Sequence, residues 1–328
     1  MNSSVKNTNL DKNKNNTMFI AQGDKKENEF WKYLLGSLLV FIASIIGQIP
    51  ILIAMLYEVF VNNKAIPSTE KDLYSMFDSN LFLFLMLVSF LFALFGLYFV
   101  VKKFHNQSFK DIITSRKKID WKRFFVAFSV WAIISISLIL ISYFSGNAEI
   151  ELQFNLVPFL ILSIIAILLI PIQTSTEELI FRGYLMQGFY NLSRNKWFPL
   201  VMTSVIFGGM HWFNPEVAEM GPIIMVYYIG TGLFLGILTL MDEGTELALG
   251  FHAANNLVSA LLITSDYSVL RTNAIFKDLS KPEVGYEIFM PIIFYIALLF
   301  LFTKLYKWTN WKDKLIGNTS AQSQEPTN

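Results

Sequence analysis

The sequence predicts an all-α fold, a polytopic membrane bundle of about eight transmembrane helices. Composition is the first reason: of 328 residues 54% are hydrophobic, 31 are Phe and only 16% are charged, the balance of a chain solvated largely by lipid. The apolar residues also gather into runs near the roughly 20 residues that a bilayer core demands. Lipid, finally, offers nothing to the open edge of a sheet, so segments that cross it must be helices.

Residues 1–30 are polar and rich in Asn and Lys, with too few apolar groups to offset the entropy of ordering, and a disordered tail is expected there. The first span, 33–60, is too long for the apolar region of a secretory signal and lacks a small-residue cleavage pattern; Pro50 is expected to bend it. Spans at 80–101 and 122–144 complete an accessory trio within residues 31–150. A core follows in 151–265: a span at 155–173, a short helical piece from Thr176 to Tyr190, and spans at 197–213, 222–241 and 246–264. The last span, 286–306, belongs to a segment 266–310, and residues 311–328 form a polar tail.

Lys and Arg in short loops set the orientation. Lys102, Lys103, Lys110, Arg116, Lys117, Lys118, Lys122 and Arg123 lie between the second and third spans, whereas the loop from Ser145 to Phe154 has no basic residue. The former is expected on the cytoplasmic side, and both termini with it. Lys304, Lys307, Lys312 and Lys314 agree, while the three basic residues between Asp266 and Tyr286 run against the scheme. An integral protein of a bacterial cell membrane is the expectation.

Two function classes fall away early. Cysteine is absent, which removes disulfides, thiolate nucleophiles and Cys-based zinc sites. The net charge is +1 and the basic residues sit in short loops, so no nucleic-acid partner is expected. Membrane lipid is the surrounding partner.

Polar chemistry then concentrates in three places. Glu178 and Arg182, four apart, share a helix face, while Glu177 points about 100° away. The arginine can hold one carboxylate and leave the other as a general base. The bland alternative is an amphipathic helix whose charges face the cytoplasm. Phe207 and His211 are also four apart, after Gly208 and Gly209, which allow a neighbouring helix to come close. A histidine hydrogen-bonded at a helix end is the plainer reading. His252 and Asn256 repeat the spacing, and together they could donate to an oxyanion. Inter-helix polar bonding would explain them equally, with Asn255 an equal candidate. The remaining histidine, His105, lies in the basic loop and is expected to be solvated.

Two carboxylates, an arginine, two histidines and an amide make a hydrolase inventory. Glu177-Glu178-Leu179-Ile180-Phe181-Arg182, then Phe207-Gly208-Gly209-Met210-His211, then His252-Ala253-Ala254-Asn255-Asn256, resemble the EExxxR, FxxxH and HxxxN motifs of the CAAX-protease and bacteriocin-processing (CPBP, or Abi) intramembrane proteases. The resemblance covers roughly residues 155–265, and the motifs occur in the family's order. It implies that Glu177 acts with His211 to activate a water, that His252 and Asn256 stabilise the oxyanion, and that Glu178 with Arg182 shapes the site. Zn2+ or another divalent metal on Glu177, His211 and His252 is one form of this chemistry, a metal-free glutamate-activated water the other. A membrane-associated or lipidated peptide is the implied substrate, and bacteriocin maturation or self-immunity the implied setting. The alternative from another class is a non-catalytic scaffold or immunity protein that binds a partner.

One tension follows from the predicted spans. His211 lies about 20 Å along a helix that enters near Trp197, toward the outer side, whereas Glu177 lies close to the inner side. A catalytic pair must meet.

Overall fold

The computed structural model describes residues 18–25, 28–146, 149–280 and 286–317. Helices α1 (Phe30–Gly47) and α2 (Ile49–Phe60) form one apolar rod that breaks at Gln48, two residues before Pro50, as the proline predicts. A short helix α3 (Glu70–Met76), capped by Thr69, leads into α4 (Ser79–Phe99), whose last turn widens into a π-helix, Val100–Phe104. The chain returns through α5 (Trp121–Ser145) and a three-residue strand β1 (Ile150–Leu152) to α6 (Leu156–Glu178). A π-helical turn, Leu179–Leu185, joins α6 to α7 (Met186–Ser193) without a break. Then come α8 (Trp197–Met210), α9 (Pro215–Met220), α10 (Met225–Asp242), α11 (Glu246–Leu262), strands β2 (Ile263–Ser265) and β3 (Phe276–Asp278), α12 (Tyr286–Tyr306) and α13 (Trp311–Leu315).

Every predicted span is helical, yet the count of eight is not reached. Among the described residues six helices are long and apolar enough to cross a membrane: Phe30–Phe60, Ser79–Phe104, Trp121–Ser145, Leu156–Ser193, Pro222–Asp242 and Ile288–Tyr306. The two motif helices fall short. At 1.5 Å per residue the 14 residues of α8 reach about 21 Å and the 17 of α11 about 26 Å, below the roughly 30 Å of a hydrocarbon core. Most of α11 is buried within the bundle, whereas α8 keeps one exposed apolar face at Trp197, Val201 and Val205.

Three apolar clusters hold these helices together. Trp131 of α5, Phe234 of α10, Phe251 of α11 and Tyr295 of α12 bring their rings within 4.5–6.3 Å of one another. Tyr33, Leu97 and Tyr184 join α1 and α4 to the π turn, and Leu87, Ala166, Ile170 and Ala260 join α4, α6 and α11. Close approach depends on two glycines. A Cβ on Gly250 would lie 2.1 Å from the Phe124 carbonyl oxygen of α5, and one on Gly208 would lie 2.5 Å from Ile229 of α10. Gly209, predicted to share the second role, has open space where its Cβ would be.

Three expectations about polar segments are corrected. His105 is buried, 1% exposed, with Nδ1 3.1 Å from Asn28 Oδ1 and Nε2 2.8 Å from the Tyr184 hydroxyl. In the same basic loop Arg116 pairs with Asp242 at 2.9 Å and Glu246 at 3.0 Å, and Arg123 with Asp242, fastening the loop to the α10–α11 turn. Residues 1–17 of the predicted tail lie outside the described residues, but Phe19 and Ile20 are buried, Ile20 among Met186, Tyr190, Leu200 and Leu240. Their signal is the Met18-Phe19-Ile20-Ala21 run in an otherwise polar stretch. The C-terminal tail likewise starts as helix α13.

The strands form a small sheet in the order β1-β3-β2, β1 antiparallel and β2 parallel to β3. It ties loops together at one end of the bundle. Two of the basic residues that ran against the orientation are occupied there: Lys277 pairs with Asp266 at 2.8 Å, and Arg271 lies 4.1 Å over the Tyr74 ring.

Candidate active site

The segment carrying Glu177, Glu178 and Arg182 is not a separate short helix. It continues the span from Leu156 through Pro171, and hydroxyls bind carbonyls around the proline: Thr174 Oγ1 donates to Ile170 O at 3.1 Å and Thr176 Oγ1 to Ile172 O at 2.7 Å. The whole rod, 38 residues, is about 57 Å long and outreaches the bilayer core.

That continuity removes the conflict of depth. The rod and α8 run antiparallel, with Phe189 against Phe198 at 5.9 Å and Phe181 against Phe207 at 5.4 Å between ring centres. Each step up one arm matches a step down the other. His211, four residues past Phe207, therefore stands at the level of Glu177, four before Phe181. The two form no ion pair within 4.0 Å.

His252 lies against both carboxylates. Its Nδ1 lies 2.8 Å from Glu178 Oε1 and its Nε2 3.6 Å from Glu177 Oε2. Glu178 and Arg182 are fully buried and paired at 2.9 Å, and the guanidinium also donates to Gly232 O at 3.2 Å and lies 4.3 Å over Phe207. Arg182 thus holds Glu178, Glu178 holds the His252 ring, and Glu177 keeps one oxygen toward the histidine. His211 is held by Phe207 O, 2.7 Å from its Nδ1, and by the Tyr228 ring, stacked at 4.4 Å. The site brings together Glu177, Glu178, Arg182, His252 and Asn256, with His211 facing them from α8.

Asn256 reaches the carboxylates through a residue the motifs do not contain. Its Nδ2 donates to Gln173 Oε1 at 3.1 Å, and Gln173 Nε2 donates to Glu177 Oε1 at 2.6 Å. Gln173 is one turn before Glu177, so an amide at i, i+4 was its signal. Nothing in the sequence pointed to Tyr228.

As a metal site the expected set is incomplete. Glu177 and His252 offer two donors, and Glu178 orients His252 as a supporting carboxylate orients a ligand. Yet among the described residues no three His, Asp or Glu side chains are grouped closely enough to hold an ion.

Residues 152–258 match the family described as Type II CAAX prenyl endopeptidase Rce1-like. The uncharacterized protein YyaK of Bacillus subtilis (strain 168) is 30% identical over 288 residues, covering 88% of this chain and 94% of its own length. The chain belongs to the CPBP family. No solved structure matches it. The matched description is that of an endopeptidase, and all three motif segments lie inside the matched residues. Helices α1 to α5 precede them.

Proposed function

We propose that this protein is an intramembrane endopeptidase that hydrolyses peptide bonds of membrane-associated or lipidated peptides with a water activated by Glu177 and His211. Residues 151–265 form its catalytic part, in a bacterial cell membrane with both termini cytoplasmic. The observation that carries the reading is the convergence of three motifs at one level of the bundle: both carboxylates on His252, with His211 opposite.

The chemistry follows from the hydrogen bonds. Glu177 Oε1 is occupied by Gln173, which leaves Oε2 to take a proton from water. The hydroxide attacks the scissile carbonyl, and the charge forms on its oxygen. Glu178 fixes the His252 ring through Nδ1, and in the doubly protonated form the Nε2–H donates to the oxyanion, joined by the second Asn256 amide hydrogen. His211 orients the water. The proton on Glu177 passes to the departing amine as the C–N bond breaks, leaving a carboxylic acid and an amine and returning Glu177 to its carboxylate. No acyl-enzyme forms. Held in place before the reaction, with His252 buried and Asn256 half-buried, these donors need little reorganisation when the charge forms.

Bacteriocin maturation or self-immunity is the proposed setting. The test compares membrane-peptide termini by mass spectrometry in cells carrying wild type and Glu177→Gln at equal abundance. Termini lost in the variant establish proteolysis and name the substrate. Identical termini would make the site structural and the protein a non-catalytic scaffold that binds a partner. Chelation of the active protein separates the two chemical forms, since only a metal held by Glu177, His211 and His252 makes activity depend on the ion.

A further inference from the structure

The amide link to Glu177 extends beyond the family motifs into an accessory helix. Trp131 of α5 donates its indole N–H to Asn255 Oδ1 at 3.1 Å, and Asn255 Nδ2 donates to Asn256 Oδ1 at 3.1 Å. Asn256 Nδ2 donates to Gln173 Oε1, and Gln173 Nε2 to Glu177 Oε1. Four bonds, all pointing the same way, run from Trp131 to the proposed base.

An amide can turn end for end and exchange its donor for its acceptor, so three amides in series have two self-consistent arrangements. The groups at the ends choose between them. Indole N–H is donor-only and an ionised carboxylate is acceptor-only. In the reversed arrangement the Asn255 amino group would face the indole N–H, and the Gln173 carbonyl would face Glu177. Both meetings repel. Tyr227 also has its hydroxyl beside Asn255, but a hydroxyl donates or accepts and imposes no direction.

We infer that Trp131 is a positioning residue: its indole N–H, acting from the end opposite the Glu177 carboxylate, reinforces the one polarity of the Asn255, Asn256 and Gln173 amides in which Gln173 gives a donor to Glu177 and Asn256 turns N–H rather than C=O toward the oxyanion. This rests on the hydrolytic reading of the site. It assigns a task to α5, which precedes the residues matched to the family. The position is rigid, because Trp131 is 6% exposed and packs at 4.6 Å on Phe251, and Gly250 lets α5 and α11 touch.

Trp131→Phe removes the N–H and keeps a ring in the aromatic cluster. A first measurement needs no substrate: in full-length 15N-labelled protein in lipid nanodiscs, the variant is expected to shift the Gln173 side-chain amide signals and speed their exchange with water. Trp121→Phe, on the same helix but 59% exposed, is expected to leave them unchanged. Unmoved Gln173 signals in Trp131→Phe overturn the inference even if the protein is a protease. The second measurement uses the peptide whose terminus the Glu177→Gln comparison identifies. Trp131→Phe is expected to lower kcat about tenfold, the worth of one hydrogen bond, with KM unchanged. The Trp131→Phe/Gln173→Leu double variant is expected to lose no more than Gln173→Leu alone, because both act through one chain. Losses that multiply, or a change in KM alone, overturn the positioning role. Coupled amide signals without any peptide loss would retain the chain and refute the hydrolytic reading.

Discussion

Replacing Arg182 by methionine keeps the length of the side chain and removes the charge that faces Glu178. Both groups are fully buried, and Glu178 Oε2 already has no hydrogen-bond partner, so the carboxylate would keep only His252. Breaking a buried pair from one side costs about 3–5 kcal/mol, because the remaining charge stays desolvated. Arg182→Lys keeps the charge but loses the forked reach to Gly232 O, at about 1 kcal/mol. Removing both charges in Glu178→Leu/Arg182→Met eliminates the stranded carboxylate and leaves His252 Nδ1 unpartnered, a cost of about 1–3 kcal/mol. The double variant is therefore expected to be more stable than Arg182→Met alone. Equilibrium unfolding in mixed micelles titrated with SDS measures the order directly. An Arg182→Met variant within about 1 kcal/mol of wild type, or a double variant less stable than the single, would refute the reasoning.

Further outcomes follow from packing and charge. Gly208→Ala is expected to destabilise the α8–α10 contact, since its Cβ would meet Ile229 at 2.5 Å, while Gly209→Ala meets nothing within 4 Å and is expected to be neutral or slightly stabilising; thermal melting compares them. Burial, reinforced by the charges of Lys32 and Lys25, lowers the pKa of His105 from 6.5 to about 4. The unfolded chain thus takes up this proton first, and stability is present above pH 6.5 and lost as pH falls toward 4. His105→Gln is expected to flatten that part of the stability profile, measured against wild type between those limits. Arg116→Met leaves Asp242 and Glu246 short of a partner and is expected to free the loop before α5, read as faster amide hydrogen exchange at 114–120.

What could be read from the sequence was whatever local patterns encode. Hydropathy runs placed every spanning helix, because each must satisfy its backbone within itself. The motif spacings of four put Glu178 on Arg182 and Phe207 on His211, contacts that one helical turn guarantees. Features that depend on pairing between distant segments stayed hidden. Asp242 and Glu246 look like ordinary turn residues until Arg116 folds onto them from 126 and 130 residues away. His105 looks solvated among lysines until Tyr184 and Asn28 enclose it. Three-residue strands are too short to show alternation. The break expected between residues 173 and 176 does not occur, and Pro171 sits inside a helical rod that runs on to Ser193. That continuity is what lifts Glu177 to His211, and it could not be read from the span limits.

The central claim is that Glu177 and His211 act as one unit on one water. Single-turnover cleavage of the peptide identified by the termini comparison, with the protein in lipid vesicles, tests it through Glu177→Gln, His211→Asn and their combination. Groups that act together fall to a common floor. Each single variant is expected to lose nearly all activity while remaining folded, and the double variant to lose no more. A Glu177→Gln variant that cleaves at the wild-type rate, or single losses that multiply in the double, would contradict the account.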